Sequence, residues 1–161
     1  MSPEFRNEEA FRPSDFSPAF RMAADFGLGL TCHAGEFCGP SSIWETIQSL
    51  NVTRLGHGVR AYEDLALIEF IKDLGVTLEI CPSSNLSLGV FQKPSDHPIR
   101  LLYDSGCNVT LNTDDPSFFE VSLWREYQDA IRYWNFRDCD LNKMTQNAIN
   151  AAFCDDEIKT N

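Results

Sequence analysis

Two adjacent carboxylates, Asp114 and Asp115, follow the short apolar run "NVTL" at 108–111 and precede Pro116. The run is typical of a buried strand, which a proline cannot extend. Neighbouring carboxylates at a strand end repel each other unless a positive charge lies between them or binds one of them. An ordinary surface turn is the alternative, because Asp and Pro are common in turns.

A histidine and a glutamate lie three positions apart at His33 and Glu36, and a second histidine, His57, lies between Gly56 and Gly58. Imidazole nitrogen and carboxylate oxygen are ordinary zinc ligands, so His33 together with one aspartate predicts a zinc site. Catalytic zinc usually has three protein ligands, and only two are visible here. The paired glycines indicate a close approach of the backbone to another group.

These residues predict a division of roles around a metal-bound water. Glu36 is close enough to His33 to move a proton to or from that water, and His57 is suited to hydrogen-bond it. The second aspartate, Asp115, is then left to accept a hydrogen bond from a substrate N–H. Each assignment has a structural alternative: His33 as a hydrogen-bonded core residue and Glu36 as a solvent-facing loop acid. His97, which precedes a proline, is interpreted as a helix cap and not as a site residue.

Helical and strand-like segments alternate along the chain, which predicts parallel βαβ units in an α/β fold. The predicted helices cover 14–26, 41–50, 63–75, 97–106, 118–134 and 140–153, and the predicted strands cover 28–32, 54–57, 76–82 and 108–112. Local signals support two of the helices: a capping box from Ser42 to Glu45 and a C-terminal Gly75.

The polar candidates come where the predicted strands end. His33 follows the first strand, His57 ends the second, "PSSN" at 82–85 follows the third, and the two aspartates follow the fourth. Chemistry in parallel α/β sheets and barrels gathers at the carboxyl ends of the strands. This convergence favours a site over a set of unrelated turns.

Composition narrows the function classes. The chain has 161 residues, 24 acids and 13 bases, and a net charge of -11, so nucleic acid and anionic membranes are unsuitable partners. No apolar run is long enough to span a membrane and no secretory signal is visible. The six cysteines form no CxxC pair, which predicts reduced thiols and a cytoplasmic location. No glycine-rich phosphate loop is present.

Four ordered motifs resemble the adenosine deaminase family: "HAGE" at 33–36, "LGHGVRAYED" at 55–64, "LEICPSSN" at 78–85 and "LNTDDPSFF" at 111–119. The resemblance runs from about residue 8 to about residue 153. It implies a (β/α)₈ TIM-type barrel that uses zinc to hydrolyse the 6-amino group of a purine. In that family pattern His33 and Asp114 would ligate zinc, Glu36 would protonate the purine ring, His57 would orient the attacking hydroxide, and Asp115 would hydrogen-bond the ring.

The sequence departs from the family pattern in two respects. The family's first strand carries a His-x-His pair that supplies two further zinc ligands, and this chain has no such pair. It also has four βα units plus closing helices where a barrel has eight units. We therefore expect residues 1–161 to form one domain, the carboxyl-terminal part of a deaminase barrel, with 1–7 a linker or non-native.

Three functions remain open at this point. Deamination of adenosine to inosine and ammonia is the favoured expectation, and deamination of adenine to hypoxanthine is the alternative. The third is a non-catalytic half-barrel that self-associates or pairs with a missing amino-terminal half through its exposed strand edges.

Overall fold

The computed structural model describes residues 11–159 and centres on a parallel sheet with strand order β1-β2-β3-β4. The strands are β1 Thr31–Ala34, β2 Arg54–His57, β3 Thr77–Ile80 and β4 Asn108–Leu111. Their first residues pair directly across the sheet, Thr31 with Arg54, Arg54 with Thr77 and Thr77 with Asn108. Because the register has no stagger, the carboxyl ends of all four strands lie at one edge.

Helices connect and flank the strands. They are α1 Ser17–Asp25, α2 Pro40–Leu50, α3 Leu65–Leu74, α4 Pro82–Ser87, α5 Ile99–Asp104, α6 Pro116–Phe119, α7 Leu123–Trp134, α8 Asp138–Ala151 and α9 Asp156–Lys159, with 3-10 helices at Pro13–Phe16, Val59–Glu63 and Pro94–Asp96. Within residues 11–159, no helix has the length and apolarity needed to cross a membrane. The α/β prediction with parallel strands is confirmed.

The two faces of the sheet differ in chemistry. Leu55, Leu78 and Val109 are fully buried in the apolar cluster that the connecting helices cover. Residues at alternate strand positions point to the opposite face, where polar groups pair across the strands. There, Arg54 Nε lies 3.3 Å from Glu79 Oε1. The apolar face therefore forms the core with the helices, and the polar face is available for binding or catalysis.

Some predicted boundaries are confirmed and others are wrong. The strand at 108–111 and the left-handed Gly75 at the end of α3 (φ 68°) are as predicted. The predicted capping box is wrong, because α2 begins at Pro40 with Gly39 as its N-cap and no side-chain cap. Proline is pre-organised for the first helical position, so the helix starts one turn earlier than the serine pattern indicated.

Two further differences affect the site. The first strand is Thr31–Ala34 and not 28–32, so His33 lies within β1. The predicted helix over 118–134 is split into α6 and α7, because Glu120 adopts a left-handed conformation (φ 50°) and Ser122 caps α7 through the Arg125 N–H. The helix α4 after β3 was not predicted.

Candidate active site

Two of the candidate residues have backbone conformations that side-chain-bearing residues rarely adopt. His57, the last residue of β2, has φ 64°, and Asp114, three residues beyond β4, has φ 60°. Left-handed non-glycine residues cost free energy and occur preferentially at functional sites. In both cases the left-handed turn follows a parallel strand at the shared carboxyl edge. This conformation aims both side chains at the same region.

His57 is almost fully buried and lies between two carboxylates. Its Nδ1 is 3.6 Å from Glu36 Oε1, and its Nε2 is 3.7 Å from Asp114 Oδ2. Glu36 is itself 9% exposed. The structure thus brings together an imidazole and two acids that are separated in sequence by 21 and 57 positions.

Helix α4 supplies two polar side chains to this cluster. Asn85 Nδ2 donates to Glu36 Oε1 at 3.0 Å and lies 3.2 Å from His57 Nδ1. Ser84 Oγ donates to Asp114 Oδ2 at 2.6 Å. Sequence reasoning noted the "PSSN" motif but assigned no role to these residues. Their position directly after a strand was the available signal.

His33 approaches the cluster from β1, packed over a glycine. Its ring centroid lies 4.9 Å from that of His57 with an interplanar angle of 81°. A Cβ added at Gly56 would lie 2.5 Å from His33 Cδ2. The close approach predicted from the paired glycines is therefore present at Gly56, whose missing side chain makes room for the His33 ring.

A cavity of about 600 Å³ opens beside these groups. It is lined by His33, Gly56, His57, Glu79, Cys81, Leu111, Asn112, Thr113, Asp114, Leu123, Tyr127, Thr145, Ala148 and Ile149. Glu36 is outside this lining, on the Nδ1 side of His57, where its Oε1 accepts a hydrogen bond from the Asn85 amide. Asp115 is also outside it, exposed, with its Oδ1 accepting the Phe118 N–H at 3.0 Å as the N-cap of α6.

The side chains around the cavity include types that bind metal ions. Within residues 11–159, ligand atoms of His57, Cys81 and Asp114 lie within 4.8 Å of one another. His33 is outside this group but lines the same cavity. Burial and the nearby carboxylates raise the pKa of the Cys81 thiol, so without a metal this group is protonated. Imidazole and carboxylate groups of the same cavity are further donors.

Two buried titratable residues beyond the predicted set lie next to the cluster. His97 Nε2 is 3.3 Å from Asn85 Oδ1, and burial lowers the pKa of His97 to about 3. Glu126 of α7 accepts the Ser83 N–H at 3.3 Å, and burial raises the pKa of Glu126 to about 7. His97 is not the N-cap of α5, which is Pro98, but its Nδ1 accepts the N–H of Ile99, the first residue of that helix, at 3.2 Å.

The sequence of this chain is similar to those of known proteins. The model of a family described as "Adenosine deaminase" matches residues 4–161. An adenine deaminase of Rhizobium johnstonii is 49% identical over 152 residues, which cover 94% of this chain and 47% of that protein. The chain spans about half the length of the curated relatives it matches.

Two solved structures also resemble most of this chain. The crystal structure of an adenine deaminase from Arthrobacter aurescens superposes with a TM-score of 0.88 at 32% identity, covering 92% of this chain and 45% of that one. An amidohydrolase from Burkholderia ambifaria, solved with bound Zn, superposes with a TM-score of 0.82 at 26% identity, covering 90% and 41% respectively.

Proposed function

Because this chain belongs to the adenosine deaminase family, we propose that it carries part of the active site of an enzyme that hydrolyses the 6-amino group of a purine and releases ammonia. The observation that supports this most is the position of His57 between Glu36 and Asp114, with nitrogen–oxygen distances of 3.6 and 3.7 Å. A buried imidazole between two acids is suited to orienting a nucleophilic water and to proton transfer.

We propose adenine, converted to hypoxanthine, as the substrate. The relatives that match most of this chain are named adenine deaminases, as is the structural neighbour from Arthrobacter aurescens. Adenosine is the substrate expected from the sequence, although both activities share the four motifs. The comparisons therefore support the alternative over the favoured expectation.

Zinc is the proposed metal, with His33 and Asp114 as the ligands that this chain contributes. Support comes from the donor set at the cavity and from the zinc in the Burkholderia ambifaria neighbour. When bound, zinc supplies a Lewis acid that lowers the pKa of water at the site. Since catalytic zinc usually has at least three protein ligands, these two need at least one further ligand.

The other residues divide the proton transfers and the substrate contacts between them. Glu36 donates a proton to the purine ring, and its carboxyl is held in place by the Asn85 amide. His57 hydrogen-bonds the attacking water, using the ring nitrogen that faces Asp114. Asp115 hydrogen-bonds the purine ring with the oxygen that does not accept the Phe118 N–H.

We also propose that the chain forms one domain and works in the cytoplasm. Buried side chains from β1 to β4 and from the helices α2, α3, α5, α7 and α8 belong to one apolar cluster, which is what a single domain requires.

Substrate choice is tested with the complete enzyme, that is, with this sequence joined to a segment that carries the His-x-His pair. Deamination is followed by the change in purine ultraviolet absorbance, with adenine and adenosine compared under the same conditions. We expect the larger kcat/KM for adenine. A larger value for adenosine would reverse the substrate assignment, and no deamination of either would refute the function.

A further inference from the structure

His97 lies behind the cluster and is connected to it by hydrogen bonds. It is 4% exposed and packs between Phe91 and Trp134, with ring centroids 4.8 and 5.5 Å away. Trp134 is itself held by a hydrogen bond from its Nε1 to the Pro94 carbonyl at 2.8 Å. The ring therefore has little freedom to rotate. No assigned role in the proposed reaction uses it.

The tautomer of His97 follows from a backbone group. The Ile99 N–H donates to His97 Nδ1 at 3.2 Å, and a backbone N–H can act only as a donor. Nδ1 must therefore be unprotonated. The ring is neutral at physiological pH because burial lowers its pKa to about 3, so its single proton is on Nε2.

The protonated nitrogen of His97 determines which way the Asn85 amide points. Nε2–H faces Asn85 Oδ1 at 3.3 Å, and only the amide oxygen can accept. The amide nitrogen is then on the other side, with its two hydrogens directed at Glu36 Oε1 (3.0 Å) and His57 Nδ1 (3.2 Å). A rotated amide would instead place its oxygen against the carboxylate oxygen of Glu36.

The same hydrogen-bond constraints apply to His57, the proposed catalytic histidine. Because the Asn85 amide hydrogens face His57 Nδ1, that nitrogen is unprotonated, and the ring proton is on Nε2, on the side of Asp114. We propose that His97 and Asn85 are positioning residues for the deamination: they set the tautomer of His57 and the orientation of Glu36. This inference rests on the proposed function only where it concerns activity.

The tautomers can be measured on the complete enzyme without substrate or metal, because the chain alone is expected to self-associate or to be partly molten. Long-range ¹H–¹⁵N correlation spectra distinguish protonated from unprotonated ring nitrogens, and the signals of the 3 histidines of this chain are assigned by substituting them one at a time. We expect both His57 and His97 to have an unprotonated Nδ1 and a protonated Nε2. Averaged tautomers, or a protonated Nδ1 on His57, would overturn the inference.

Substitutions test the direction of the effect. Asn85→Asp replaces the donating NH₂ with an oxygen of the same size, so His57 Nδ1 should become protonated. His97→Phe preserves the ring packing but removes the N–H, so the Asn85 amide is no longer held and His57 should show a mixture of tautomers. His97→Gln retains a donor at the same reach and is the matched control, in which the His57 tautomer should be unchanged.

An unchanged His57 spectrum in Asn85→Asp would refute the proposal even if His97→Phe fails to fold. In the complete enzyme, His97→Phe should lower kcat by about 10- to 100-fold with little change in KM, as expected for a residue that supports a catalytic group, and His97→Gln should restore most of the loss. An inactive complete enzyme with the expected tautomers would refute the proposed function alone. An active enzyme with the other tautomer would refute only this inference.

Discussion

At the scale of residues, the site depends on the absence of a side chain at Gly56 as well as on the side chains that it contains. Gly56 lies opposite His33 in the register of β1 and β2, and the imidazole occupies the space that a Cβ would fill. The positions of the proposed ligand and of the neighbouring His57 are therefore coupled through the backbone of β2. The position of the His33 ring is therefore sensitive to a single methyl group at residue 56.

Gly56→Ala should displace the His33 ring, because the new Cβ would lie 2.5 Å from Cδ2. We expect zinc affinity in the complete enzyme to fall by roughly 10- to 100-fold, the usual effect of disturbing a ligand's support. Competition with a chelator measures the affinity. Gly39→Ala is the control, since its Cβ meets nothing closer than 3.8 Å. Equal zinc affinity in the two variants would contradict the ligand assignment.

Glu36→Gln and Asp114→Ala should separate proton transfer from metal binding in the complete enzyme. Glu36→Gln preserves the shape but removes the acid, so kcat should fall by about 10²- to 10⁴-fold or more while the zinc remains bound. Asp114→Ala should instead lower the zinc content. Metal analysis and turnover measured on the same samples check both. Zinc loss in Glu36→Gln, or an intact rate, would show that the roles are assigned incorrectly.

At the scale of elements, the short helix α4 is the piece that assembles the cluster. Proline at its first position starts the helix immediately after β3, which orients Ser84 and Asn85 towards the other strand ends. Glu126 of α7 is buried against the start of α4, where it accepts the Ser83 N–H. Its Oε2 has no hydrogen-bonding partner among the described residues.

The buried carboxyl of Glu126 should make stability depend on pH. Burial raises its pKa from 4.5 to about 7, so the folded state retains the proton over a range in which the unfolded state has lost it. The contribution is fully present below pH 4.5 and is lost as the pH rises through 7. At about 1.4 kcal/mol per pKa unit, the loss is on the order of 3 kcal/mol.

Urea unfolding of the wild type at pH 5 and pH 8 measures this loss. Glu126→Gln cannot ionise and should lose less of its free energy of unfolding between the two pH values. Glu69→Gln, which replaces an exposed glutamate on α3, is the matched control and should behave like the wild type. If Glu126→Gln and the wild type show the same change, the carboxyl is not protonated in the folded state.

At the scale of the whole molecule, the four strands form an open sheet whose outer strands are β1 and β4. The side chain of Asn147 on α8 donates to the Val109 carbonyl of β4 at 3.0 Å and covers part of that edge. In α1 and the segment between it and β1, large apolar side chains are exposed: Met22, Phe26 and Leu28. Open parallel edges and exposed apolar groups favour association with another chain.

The chain alone should therefore be inactive, bind zinc weakly and below one ion per chain, and either self-associate or remain partly molten. The two proposed ligands are fewer than the three or more of a catalytic zinc site, and among residues 11–159 the outer strands β1 and β4 have no further strand beside them. Light scattering, metal analysis after dialysis and an activity assay check the three expectations. Adding a separately expressed segment with the His-x-His pair should restore activity. A monomer that deaminates adenine unaided would contradict the half-barrel interpretation.

The sequence by itself determined the alternation of strands and helices and most of the candidate residues. The apolar run before Asp114 and the helical periodicity ending at Gly75 are local signals, which can be recognised without knowledge of the fold. Local signals gave the wrong start for α2, because the helix begins at Pro40 and not at the serine pattern. They also missed the left-handed Glu120, which separates α6 from α7.

Only the tertiary structure decided which side chains meet. Asn85 contacts Glu36 and His57 from 49 and 28 positions away, and His97 reaches Asn85 only because α4 and the segment before α5 fold back on each other. Such contacts depend on strand register and on turns such as the left-handed His57, which residue types alone do not encode. Hydrogen-bond direction adds a further constraint. The backbone N–H of Ile99 sets the tautomer of His97, and through the Asn85 amide this sets which nitrogen of His57 is protonated.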